Sequence, residues 1–321
     1  MRIVYDALYG DHLRGIGHIE SPDRVEVVAA HLAARGMFAD PLTARDATDA
    51  DLLRVHAPAY LELVKREGAL PPHAAPRYLS TGDVAIDERS LAVARRAAGG
   101  AIAAVQAAVR ERAPVFALVR PPGHHAEAAR GMGFCLFNNA AIAARAYLAE
   151  HGGRALIVDF DYHHGNGTQA VAGGDLSYIS THAYPAYPGT GSSSVAVPGG
   201  EVVNIPLPAS GVSTEAFVAT WEQALPELAR RIRPTLLVVS AGFDYVAGDP
   251  VGDLGVDVEA ATHLASTINA TAAEHDAHLA YVLEGGYDIE ALTESVAQVI
   301  AASDTRRTQS SGADPRSSLA G

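Results

Sequence analysis

The stretch Leu156-Ile157-Val158-Asp159-Phe160-Asp161-Tyr162-His163-His164-Gly165-Asn166-Gly167-Thr168-Gln169 decides how the chain is read. The run Ala155–Val158 is short, β-branched and without polar alternation, the pattern of a parallel strand buried on both faces. It breaks off into Asp159, Asp161, His163 and His164, then into Gly165 and Gly167. Carboxylates and imidazoles this dense are costly to bury unless they are paired or hold a metal. In open α/β sheets ligands bind beyond the carboxyl ends of strands, where this cluster falls. Side chains two apart on an extended chain share a face. Asp159, Asp161 and His163 are therefore expected on one side, and Phe160, Tyr162 and His164 on the other.

Outward from this stretch a rhythm repeats. Strand patterns at Pro114–Val119, Leu176–Ser180, Val202–Ile205, Thr235–Ser240 and Leu279–Leu283 alternate with helical patterns at Ser90–Arg112, Asn139–Glu150, Ser213–Arg233, Val258–Glu274 and Ile289–Ala302. Pro226 marks a kink or boundary in the third of these helices. Arg2–Tyr5 reads as a first strand, Val25–Arg35 as a helix, and Thr48–Val55 and Pro58–Glu67 as two short ones. Leu70–Asp87, with Pro71, Pro72 and Pro76, reads as a long surface loop of the kind that is functional or mobile. Strands alternating with helices specify an α/β fold whose mostly parallel sheet is covered on both faces, a three-layer αβα sandwich. No internal repeat or linker divides residues 1–302, which are expected to form a single domain. From Ser303 to Gly321 the chain is polar and aperiodic and is expected to be a disordered tail.

Composition narrows the function. The 321 residues are 48% hydrophobic, ample for a core, and carry a formal net charge of -13. That charge argues against a nucleic-acid partner, which needs clustered Lys and Arg, and is compatible with a cationic substrate. The lone cysteine, Cys135, excludes a disulfide framework and any Cys-based structural zinc site. It lies in the apolar stretch Phe134–Phe137 and reads as a buried hydrophobe. Met1–Asp6 runs into the strand-like Arg2–Tyr5 rather than a signal-peptide pattern and no apolar stretch approaches membrane-spanning length, so the expectation is a cytoplasmic globular protein. Neither a phosphate-binding loop nor a nucleophile elbow is present.

Four strand patterns end in chemistry: His124-His125, Asp159 to Asn166, Asp244, and Gly285-Gly286-Tyr287. A parallel sheet brings those ends to one edge. Asp161, His163 and Asp244 then form an Asp2His set suited to a divalent ion with positions left for water and substrate, closer to catalytic than to structural zinc. Fe2+ and Co2+ accept the same donors. The competing reading is a hydrogen-bonded network of strand-end acids. Asp159 and Asn166 are placed to orient one imidazole each; a carboxylate partner favours imidazolium, an amide does not. Tyr287 is either a packed aromatic or a donor to a developing oxyanion on a hinge-like turn.

These motifs resemble one family. Arg120–Ala126 (RPPGHHA), Gly133–Asn139 (GFCLFNN), Val158–Gln169 (VDFDYHHGNGTQ), Ser240–Asp249 (SAGFDYVAGD) and Leu283–Tyr287 (LEGGY) are similar, in order, to those of histone deacetylases. Val158–Gln169 and His18–Arg24 (HIESPDR) look most like the class II branch and its bacterial relatives, including acetylpolyamine amidohydrolases. The resemblance implies an arginase-like fold of about eight strands and a metal-dependent amidohydrolase. It implies that Asp161, His163 and Asp244 hold zinc, that His125 is the general base and acid, and that His124 is its electrostatic neighbour, paired with Asp159. Tyr287 matches the phenol that polarises the scissile carbonyl, and Gly133, Phe134 and Tyr187 the walls of an acyl channel. A potassium ion beside the zinc is implied at Asp159, Asp161, His163 and Ser180. Arginases hold two manganese ions and need further carboxylates, where this chain has Gly165 and Val246; a mononuclear site is expected.

The resemblance also frames the substrate. At the position where a Glu favours acetylated polyamines in one branch, this chain has Val251, and an apolar gate fits acyl-lysine peptides better. Acetylpolyamines, or other small acetylated amines, are the alternative. Asp83, in the Leu70–Asp87 loop, is either a partner for a substrate amide or amine, or a solvated acid. A non-catalytic acetyl-ligand or metal-binding protein on the same fold is the reading of another class. Oligomeric state is not legible.

Overall fold

The computed structural model describes residues 1–304. Of the expected tail, all beyond Asp304 lies outside the described residues. Ser303 is buried and accepts from Asn269 at 2.7 Å, so packed chain runs past the expected boundary.

The first half of the chain comprises β1 (Arg2–Val4), α1 (Asp23–Ala34), α2 (Asp49–Leu52), α3 (Pro58–Gly68), β2 (Arg77–Tyr78), β3 (Ala85–Ile86), α4 (Ser90–Glu111), β4 (Val115–Ala117) and α5 (Asn139–His151). The second half comprises β5 (Ala155–Asp159), α6 (Asn166–Val171), β6 (Leu176–Ala183), β7 (Val195–Val197), β8 (Gly200–Leu207), α7 (Thr214–Ile232), β9 (Leu236–Ala241), α8 (Ala260–Glu274), β10 (His278–Leu283) and α9 (Ile289–Ala302). Eight strands form one sheet in the order β1-β4-β10-β9-β5-β6-β8-β7. Every pairing in it is parallel except that of β7 with β8.

β5 is where the order reverses. From β5 the chain steps outward through β6 and β8, then returns to lay β9 on the other side of β5. Loops leaving such a switch point diverge and open a crevice at the carboxyl edge. Every residue of β5, β6 and β9 is buried, as strands covered on both faces must be. α3, α4 and α5 pack together in one group, and α1, α7, α8 and α9 in another. The α/β architecture expected from the alternation is the one observed.

Three local expectations are corrected. Leu70–Asp87 is not wholly a surface loop, because β2 and β3 pair in it and Leu79, Val84 and Ile86 are buried. Thr48–Val55 is helical only over α2, whose Thr48–Asp51 capping box fixes its start. α7 runs through Pro226 without a boundary.

Candidate active site

The site forms at the carboxyl ends of β4, β5, β9 and β10. At the end of β5 the acids fold the chain on themselves. Asp161 N–H donates to Asp159 Oδ1 at 3.3 Å, and His163 N–H to Asp161 Oδ1 at 2.8 Å. Asp244, beyond β9, is pinned by Tyr162 N–H on Oδ1 at 2.9 Å. His163 Nδ1 then stands 3.2 Å from Asp161 Oδ1 and 3.0 Å from Asp244 Oδ2. One donor atom from each of these three buried residues lies within 4.8 Å of the others. Burial, and then the Asp161 charge, push Asp244 up to about 6. Two carboxylates forced together without water resist joint ionisation, a penalty that a divalent cation relieves. The donor set fits a metal. Gly285 permits it: its N–H donates to Asp161 Oδ2 at 2.8 Å, and a Cβ there would stand 2.5 Å from Asp244 Oδ2.

The two imidazoles are treated differently. His124 Nδ1 faces Asp159 Oδ2 at 3.1 Å, and His125 Nδ1 faces Asn166 Oδ1 at 2.8 Å. Burial opposes charge on His124, but Asp161 and Asp159 outweigh it and raise its pKa well above the usual value. Burial, then the charges of His124 and His163, push His125 well below it. The two shifts run in opposite directions, favouring the cation on His124 and the neutral ring on His125. The sequence-based pairings, Asp159 with His124 and Asn166 with His125, are the ones the fold makes.

Tyr287 follows β10 on a turn that is tied rather than hinged. Asp249 Oδ2 accepts Tyr287 N–H at 2.6 Å and Asp288 N–H at 2.9 Å. Arg24 donates to Gly286 O at 2.6 Å and lays its guanidinium 4.7 Å from the centre of the Tyr287 ring. Burial raises the Tyr287 phenol well above its ordinary range, with Arg24 only partly opposing, so it remains a donor.

A cavity of about 270 Å³ joins these groups: His124, His125, Asp161, His163 and Tyr287 line it together with Gly133, Phe134, Tyr187, Val251 and Asp83. Gly133 has φ +54°, and a Cβ on it would stand 2.2 Å from the His125 ring. Tyr187, 40% exposed, packs its ring edge-on to His125 at 5.2 Å between centroids. Its hydroxyl donates to Asp83 Oδ2 at 3.0 Å while Gly133 N–H donates to Oδ1 at 2.8 Å, so Asp83 clasps both sides of the mouth. Ser180 is the register partner of Asp159 on β6 and lies outside this cavity.

Sequence reading assigned no role to the residues behind these groups. Glu284, inside the quoted LEGGY motif, is fully buried and accepts Gly123 N–H at 2.6 Å and His124 N–H at 3.1 Å. Glu20 bridges Arg24 at 3.0 Å and Arg120 at 2.7 Å, all without solvent. Buried charges at strand ends were the available signal; their partners lie far away in sequence. No side chain fits at Gly165, where a Cβ would stand 2.3 Å from Asp159 Oδ2 and 2.6 Å from the Tyr178 hydroxyl. Val246 is buried.

Comparison with known proteins agrees with this geometry. The histone deacetylase domain family matches residues 18–303. Histone deacetylase 15 of Arabidopsis thaliana is 36% identical over 295 residues, 88% of this chain and 52% of that protein. A probable deacetylase of Archaeoglobus fulgidus is 34% identical over 302 residues, 90% of this chain and 81% of that one. Human polyamine deacetylase HDAC10 is 35% identical over 88% of this chain and 44% of its own length. The crystal structure of the HDA15 HD domain superposes with a TM-score of 0.85 at 33% identity, covering 93% of this chain and 87% of that one. The chain thus spans about half the length of the Arabidopsis relative. No helix among the described residues is long and apolar enough to cross a membrane. By the extent of these matches, the chain belongs to the histone deacetylase domain family.

Proposed function

We propose that the protein is a metal-dependent deacetylase that hydrolyses the amide of an acylated primary amine, an acyl-lysine side chain being the class best suited to its cavity. The observation that carries this reading is one cavity lined by Asp161, His163, His125 and Tyr287, with Asp244 completing the donor set behind it, His125 held toward its neutral form and Tyr287 toward its protonated one. Those donors would hold zinc, with Fe2+ or Co2+ as chemically acceptable substitutes. Bound there, a divalent ion supplies Lewis acidity to the scissile amide. His125 takes a proton from the attacking water at Nε2 and returns it to the departing amine, work worth about 10²–10⁴-fold. Tyr287 donates its hydroxyl to the carbonyl oxygen as negative charge builds there, and cationic His124 favours the same charge. Phe134 and Tyr187 hold the methylene chain of the substrate and keep bulk water out. A potassium ion beside Asp159 and Ser180 belongs to the same proposal; adjacent register on β5 and β6 supports it.

A second reading, an acetylated polyamine, is favoured by the exposed Asp83 carboxylate at the mouth and the net charge of -13. Val251 at the gate favours the first. Metal analysis followed by rates on an acetyl-lysine peptide and on N-acetylputrescine, with a hydroxamate as inhibitor control, decides between them. The peptide is expected to be the faster substrate, and Asp161→Ala to lose the metal. A metal-loaded protein inert toward every acyl amide would replace catalysis with acetyl-ligand binding.

A further inference from the structure

His125 is useful as a proton acceptor at Nε2 only in the tautomer that carries its hydrogen on Nδ1. Its partner does not dictate that tautomer unaided, because the Asn166 amide has an accepting end and a donating end and can present either. What breaks the tie is the group behind the amide. Asn166 Nδ2 donates to Glu127 Oε1 at 2.7 Å; its other contacts, His125 O and Met132 Sδ, are both at 3.4 Å. An ionised carboxylate only accepts. With Glu127 in place the NH2 end must face it, the carbonyl end must face His125 at 2.8 Å, and His125 Nδ1 must be the donor. The flipped amide would set its carbonyl oxygen against the carboxylate.

Glu127 is itself held. Its N–H donates to Arg130 O at 2.8 Å, and its carbonyl accepts from His56 Nδ1 at 2.9 Å. His56 Nε2 in turn accepts Asn138 N–H at 3.0 Å, which fixes the tautomer of that buried ring and the height of the Glu127 backbone. The half-buried side chain thus reaches Asn166 from a pinned base.

We infer that Glu127 is a positioning residue: acting through Asn166, it selects the Nδ1–H tautomer of His125 and so aims the Nε2 lone pair into the cavity. The inference rests on the reading of His125 as proton acceptor, and its test separates the two. Long-range proton–nitrogen spectra of the 15N-histidine-labelled, metal-loaded full chain report the tautomer, with His125 assigned by its loss in His125→Gln. Wild type is expected to show Nδ1–H. Glu127→Ala should shift His125 toward a tautomer mixture and lower kcat roughly tenfold, a fraction of the full general-base contribution, with KM nearly unchanged. Glu127→Gln, which keeps the side-chain volume but can present either end of its amide to Asn166, should show the same mixture and a similar loss of kcat, and a wild-type spectrum in it would overturn selection by the accept-only carboxylate. An unchanged tautomer in Glu127→Ala, whether or not kcat falls, overturns the inference. A shifted tautomer with unchanged kcat supports the positioning role but removes His125 as the acceptor.

Discussion

Asp249 holds the backbone N–H of Tyr287 at 2.6 Å. Its other oxygen accepts the N–H groups of Val251 at 2.9 Å and Gly252 at 3.1 Å. One buried carboxylate therefore ties the proposed oxyanion donor to the gate of the cavity. Asp249→Asn sets an NH2 against one of these N–H pairs. Hydrogen bonds to a charged group are worth about 1.5–3 kcal/mol each, so a stability loss of roughly 3 kcal/mol is expected. kcat should fall while bound metal, measured by elemental analysis, stays near wild type. Unaltered kcat and unfolding midpoint would remove Asp249 from this role.

Tyr287→Phe tests the phenol directly. It keeps the ring under Arg24 and removes the donor. Loss of one oxyanion donor costs about 3–4 kcal/mol, or 10²–10³-fold in kcat. Metal content and thermal stability should be nearly unchanged. Turnover within a few-fold of wild type would show that the hydroxyl does not meet the carbonyl oxygen.

The acid limb of the pH profile is expected below the ordinary histidine value, because burial and then the His124 charge hold His125 neutral. Removing the charge of His124 in His124→Gln lets the His125 pKa rise. Its neutral form is then lost at a higher pH, so the acid limb of kcat/KM moves upward as the maximum falls. Profiles of the two proteins between about pH 5 and 9 make the comparison. A limb that stays in place would argue against electrostatic coupling of the two rings.

His56 links the same loop to acid stability. Burial lowers its pKa from 6.5 to about 4. The unfolded chain protonates near 6.5 while the folded one does not, so stability present above that pH is lost as pH falls through the interval down to about 4. The full interval corresponds to about 3 kcal/mol. Urea unfolding at pH 7.5 and 4.5 should show a smaller pH-dependent loss in His56→Gln than in wild type. Equal losses would mean that His56 titrates normally.

Much of this site is legible in the sequence because its reacting groups sit in line with the strands that carry them. Asp161, His163, Asp244, His124, His125 and Tyr287 each follow an apolar run, and a parallel sheet places all such ends on one edge. β5 itself ends at Asp159, so strand alternation does not carry Asp161 and His163 to the site; the hydrogen bonds of Asp161 N–H to Asp159 and of His163 N–H to Asp161 do. The supporting groups follow no such rule. Arg24 meets Glu284 across 260 residues, Glu284 meets Gly123 across 161, and Asp83 meets Tyr187 across 104. Short-range pattern carries no information about contacts between loops from different strands. Antiparallel β7, paired to β8 at the sheet edge, also escaped notice because its three residues are too few to show a period.

Gly165 divides the two sources of information most clearly. By type alone, the sequence determined that no second-metal carboxylate stands there. Only tertiary structure decided that none fits. Asp159 from β5 and Tyr178 from β6 converge on that glycine, Tyr178 donating to Asp159 at 2.9 Å and accepting Gly165 N–H at 3.1 Å. The space is filled by the hydrogen bonds that fix Asp159 behind His124, so the chain spends its carboxylate on the histidine pair rather than on a second ion.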